Sequence, residues 1–154
     1  MCNIALDWKK KDRTDLGVAW VIRDHRGVSK FHSRKSFVQV QTLEDAKLQA
    51  LLMTSESVSS LRLNKVVFAG EFSELFGAVM KPHEWPSFLF QRDEFIKSLE
   101  SLAEWKVLVI SKEANRGASF IADSVHRLGF VQSYVASGHP VWLDDLFQSE
   151  SHSL

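Results

Sequence analysis

Apolar and polar positions change period along this chain, and the changes mark out its elements. Residues 3–8 alternate loosely and predict a short strand, followed by a polar connection to Asp15. Residues 17–24, Gly-Val-Ala-Trp-Val-Ile-Arg-Asp, are β-rich and predict a second strand. His25-Arg26-Gly27 is a turn whose first and last positions suit Asp24 and Gly27. Residues 30–40 predict a third strand, so an antiparallel three-stranded meander is expected.

The period then becomes helical. Thr42 can cap a helix, and Asp45 three residues on resembles a capping box. Leu43, Ala46, Ala50, Leu51, Met53 and Val58 supply its apolar stripe. Residues 66–69 form a short apolar run, as in a strand buried on both faces of a parallel sheet. Residues 72–80 predict a short helix, and Pro82, Trp85 and Pro86 punctuate a loop. A helix over 88–103, a buried strand over 106–110 and a last helix over 115–128 follow, with Gly129 at its C-terminal cap. Val141, Trp142, Leu143, Leu146 and Phe147 make an apolar tail cluster that should pack back on the domain. Three strands followed by alternating helix and strand give an α/β layer with a mixed sheet. One domain is expected over residues 1–150, with residues 151–154 frayed.

Composition narrows the setting. A single cysteine, Cys2, cannot form an internal disulfide and fits a reducing compartment. Asp7 and the Lys9-Lys10-Lys11 run interrupt the N-terminus too early for a signal peptide, and no apolar run is long enough to span a membrane. The expected setting is intracellular, cytoplasm or nucleus. Net charge is zero but unevenly spread. Residues 1–35 hold nine lysines and arginines against four aspartates, and the remainder holds ten against fifteen acids. A phosphate-facing edge and a solvated face both produce such asymmetry. The six histidines show no metal-ligand spacing, and no nucleophile elbow or glycine-rich phosphate cradle occurs. Trp8 and Trp85 are candidates for stacking on bases, against the plainer reading that they are core.

Four patches carry a family resemblance: residues 2–8, 17–27, 66–75 and 112–118. They read Cys-Asn-Ile-Ala-Leu-Asp-Trp at the start and Trp20-Val21-Ile22-Arg23-Asp24 within the second. The last is Lys112-Glu113-Ala114-Asn115-Arg116-Gly117-Ala118, followed by Ser119. Together they resemble the ribonuclease H-like domain of the plant, reverse-transcriptase-associated type, over about residues 2–147. The resemblance implies a five-stranded mixed sheet of order 3-2-1-4-5, second strand antiparallel, flanked by helices. It also implies an Asp, Glu, Asp, Asp tetrad holding two divalent ions that cut the RNA strand of an RNA/DNA hybrid.

Here the tetrad positions read Ala5, Lys47, Glu71 and Ser119, and the position of the family's assisting histidine reads Val109. One carboxylate is left, and an ammonium stands where a dication belongs. No catalytic residue is therefore expected to function and no metal is expected, with magnesium required only if residual nuclease activity exists. A displaced acid set is an alternative: Asp7, Glu44 and Asp123 each lie on the face of a lost position and would join Glu71. Lys47 is expected to pair with Glu71 and Asp7 as an internal substitute for metal. Lys9, Lys10, Lys11 and Arg13 are the candidate phosphate contacts. Three readings follow: a non-catalytic domain binding RNA/DNA hybrid or RNA, a metal-dependent hybrid ribonuclease with residual activity, and a protein-interaction module.

Overall fold

A computed structural model describes residues 1–9, 15–127 and 133–153. Strands β1 (Cys2–Lys9), β2 (Asp15–Arg23) and β3 (Ser29–Phe37) form the antiparallel meander. The β2–β3 turn is held by one side chain. Asp24 Oδ1 accepts from the amides of Arg26 at 2.9 Å and Val28 at 3.0 Å, and Gly27 takes a φ of 80° that favours glycine. Helix α1 (Leu43–Ser60) follows, with Thr42 Oγ1 accepting from the Asp45 amide at 3.0 Å, as the capping pattern predicts. Strand β4 (Lys65–Gly70), helices α2 (Ser73–Met80) and α3 (Leu89–Ser98), strand β5 (Glu104–Val109) and helix α4 (Arg116–Arg127) complete the alternating half. Strand β6 (Tyr134–Ser137) and helix α5 (Asp144–Ser153) close the described chain.

The sheet order is β5-β4-β1-β2-β3-β6, with β4 parallel to β1 and to β5. This is the expected 3-2-1-4-5 order with a sixth strand added. Strand β6 pairs antiparallel with β3 from Phe31 opposite Ser137 to Arg34 opposite Tyr134. Its four residues, Tyr-Val-Ala-Ser, are too few to show a strand period, so the tail reads as packing rather than pairing.

Strand β2 shows how the layers are built. Leu16, Val18, Trp20 and Ile22 enter the larger core under α1, α2 and α3, together with Phe68, Phe76 and Phe95. Ala19 and Val21 face the opposite way, toward Ala118, Ile121 and Ala122 of α4 and Phe147 of α5. That second face is lined by small residues, and α4 lies close to it. A Cβ on Gly17 would stand 2.5 Å from the Ala122 carbonyl oxygen. The tail cluster thus packs back as expected through Phe147, and the α5 backbone is helical to Ser153.

Two strand and helix expectations need correction. Residues 106–110 read as a buried strand, but β5 is a sheet edge. Trp105 and Val107 pack on the larger core, whereas Leu108 and Val109 are 43% and 42% exposed. Helix α4 contacts β1, β2 and β3 but does not cover the far face of β5. The helix expected over 88–103 stops at Ser98, and Leu99 buries itself in the core as its cap. The Gly129 cap lies outside the described residues.

Candidate functional site

The site is assembled where β1 and β4 end beside the start of α4. Gly70 makes the close approach possible, because a Cβ there would meet the Phe72 ring at 2.5 Å and the Ile4 carbonyl oxygen at 2.9 Å. Glu71 follows at once, exposed at the carboxyl end of β4. On the other side the Lys112–Asn115 turn is held by the Ser111 hydroxyl, which accepts from the Ala114 amide at 3.3 Å. Asn115, only 2% exposed, then donates from Nδ2 to the Ile4 carbonyl at 2.7 Å and so pins the start of α4 onto β1. Its Oδ1 is buried with no partner among the described residues.

This anchoring brings Ala5, Lys47, Glu71 and Ser119, the four positions expected from the resemblance, around one cleft of about 320 Å³. Ala5 and Ser119 are buried at 7% and 9% exposure, Lys47 reaches in half-buried from α1, and Glu71 borders the rim. Lys112 and Asp123 line the same cleft. The charged lining is therefore two ammoniums and two carboxylates, not four acids. Val109 lies outside it.

A second depression of about 460 Å³ shares Lys112 and Asp123 with the first and adds Asp7, His126 and Arg127. Here His126 Nδ1 lies 2.8 Å from Asp7 Oδ2. The expected pairing of Lys47 with Glu71 and Asp7 is not what forms. Among the described residues Lys47 makes no ion pair, and Asp7 takes a histidine from α4 instead. The reason is the β1 pleat: Ala5 and Asp7 face α4, so Asp7 meets a residue about two turns beyond Ser119. The displaced acid set does not converge either. Glu44 is exposed and lines neither depression, and among the described residues no group of three His, Cys, Asp or Glu is placed to hold a metal ion.

Lys10, Lys11 and Arg13, with the side chain of Lys9, lie outside the described residues, in the connection between β1 and β2. Trp8 is half-buried against the core with its indole N–H on the Val40 carbonyl at 2.8 Å. Trp85 packs on Gly77, where a Cβ would meet its Nε1 at 2.5 Å. Neither indole is presented as a free platform. Burial pushes the Cys2 thiol up to about 12, well away from thiolate chemistry. His32 is buried, 4% exposed, with Nδ1 2.8 Å from the Gly138 carbonyl.

Sequence reasoning missed three residues here. Lys112 was legible only as the start of a motif, Asn115 only as part of one, and His126 only as a scattered histidine. Each acquires its role through contact across more than a hundred residues or by sharing a cleft wall.

The family model described as "Reverse transcriptase-like" matches residues 5–125. RNase H1 from the halophilic archaeon Halobacterium salinarum superposes with a TM-score of 0.68 at 13% identity, covering 80% of this chain and 93% of that one. The N-terminal RNase H domain of a Mycobacterium tuberculosis protein superposes with a TM-score of 0.62 at 11% identity, covering 80% and 96%. At these identities the likeness is one of fold. Among curated proteins none matches this chain.

Proposed function

Since the chain belongs to the reverse transcriptase-like family of ribonuclease H-like domains, we propose that it binds RNA/DNA hybrid or RNA without cutting it. The observation that carries this is Lys47 in the cleft beside Ala5 and Ser119. A two-ion phosphodiester mechanism needs several carboxylates to neutralise and fix the dications. Two small side chains and an ammonium do not fit that group, and the two acids present are matched by two lysines.

The groove keeps cations that suit phosphates. Lys47, Lys112 and Arg127 line the paired depressions, Lys9 ends β1, and Lys10, Lys11 and Arg13 follow it in the sequence. Such contacts supply affinity that falls with salt and carries little sequence preference. A gel-shift with RNA/DNA hybrid tests this. Binding should weaken with added salt and with combined Lys9, Lys10 and Lys11→Glu substitution, and should survive chelator. Indifference to both salt and the triple substitution would reject it.

A protein-docking role is the second reading. It rests on Val141, 89% exposed beside a 47% exposed Trp142 in the segment before α5. A chain that ignores hybrid and RNA at low salt would favour it. No helix among the described residues is long and apolar enough to cross a membrane.

A further inference from the structure

We infer that the cleft takes a phosphate group directly on the ammoniums of Lys47 and Lys112, with the Ser119 hydroxyl as a third donor and no bridging metal ion. Three observations converge. Lys47 and Lys112 line one concave site from different parts of the chain, and among the described residues neither side-chain ammonium makes an ion pair or hydrogen bond. Ser119 is nine-tenths buried in the same wall, and its hydroxyl has no partner among the described residues. Ser119 also stands in the first turn of the twelve-residue helix α4, whose amide dipoles favour an anion there.

The chemistry of the substitutions points the same way. Carboxylates need a dication between themselves and a phosphate, whereas an ammonium meets the phosphate oxygens without one. Replacing a ligand by Lys47 therefore changes which ion the cleft prefers instead of merely emptying it. Glu71 and Asp123 oppose an anion, but Glu71 sits exposed at the rim and Asp123 one turn further along α4 from Ser119. This site deepens the nucleic-acid reading, and rests on it only for the source of the phosphate, which is either a phosphodiester of a bound strand or a free phosphate.

The test is amide NMR on the whole chain, titrated first with inorganic phosphate and then with a short RNA/DNA hybrid. Phosphate should give saturable shifts at the amides of Lys47, Lys112 and Ser119, unchanged by chelator. Lys47→Ala should weaken binding about tenfold or more, Lys47→Arg should retain it, and Lys65→Ala, far along the sheet, should leave it alone. Lys47 is half-exposed on its helix, so an unchanged spectrum elsewhere will show that the variant folds. No saturable shift at these amides, an unaffected Lys47→Ala, or a shift that chelator removes would each overturn the inference. The two arms separate the claims. Phosphate binding without hybrid binding leaves a small-anion site and removes the nucleic-acid role. Hybrid binding that depends on Lys9, Lys10 and Lys11 but not on Lys47 keeps the role and removes this site.

Discussion

His126 on the last turn of α4 meets Asp7 near the end of β1, Nδ1 to Oδ2 at 2.8 Å, with both side chains 17% exposed. The contact locks the helix that carries Ser119 against the strand that carries Ala5. A double-mutant cycle with Asp7→Asn and His126→Gln should give a coupling of about 1 kcal/mol in urea unfolding at neutral pH. Additive effects within experimental error would show that the pair does not hold the two elements together.

Close approach of α4 to the sheet depends on the missing side chain at Gly17. A Cβ there would lie 2.5 Å from the Ala122 carbonyl oxygen and 2.9 Å from Val125 Cβ. Both neighbours belong to a packed helix, so neither moves cheaply. Gly17→Ala should cost roughly 1–3 kcal/mol of stability and shift the Ser119 amide resonance. An unchanged denaturation midpoint would contradict the packing described for this face.

The sequence alone indicated the meander, the Thr42 cap and the position of Lys47 on the first helix, because periodicity and capping are local. The strand order came from the family resemblance and matches. Strand β6 did not announce itself, since Tyr134–Ser137 is too short to show a period, and it is fixed by the edge of β3 it completes. The Asp7–His126 contact joins residues 119 apart in sequence. Nothing local could select His126 over Lys47 as the partner of Asp7. The exposed face of β5 was hidden for a related reason: an apolar run announces a strand but not whether a helix covers it.

Acid should loosen the β3–β6 edge through His32. A carbonyl only accepts, so Nδ1 carries the proton in the 2.8 Å bond to Gly138. Burial is the main cause that pulls the His32 pKa below its ordinary range, against the hydrogen bond to Gly138, which pulls upward. The unfolded chain therefore takes up the second proton first. Stability should be full above the ordinary value of about 6.5, fall as pH drops from there to the folded-state value, and level off below it. Urea unfolding at about pH 7.5 and about pH 5.5 should show a smaller loss in His32→Gln than in the parent. Equal losses would remove His32 as the cause.

Restoring the acids should restore the metal. In Ala5→Asp, Lys47→Glu, Ser119→Asp together, new carboxylates would be buried beside Glu71 without compensation. The triple variant should be less stable than the parent in chelator and regain a raised melting temperature with magnesium, whereas the parent should not respond. A triple variant equally indifferent to magnesium would mean that the scaffold no longer places these positions as a metal site requires.

The most direct measurement is incubation of the purified chain, in excess over a strand-labelled RNA/DNA hybrid, with magnesium and separately with manganese. Ala5, Lys47 and Ser119 predict an intact RNA strand under both conditions, with the hybrid still retained in a gel-shift. Cleavage of the RNA strand that stops on addition of chelator would contradict the central claim.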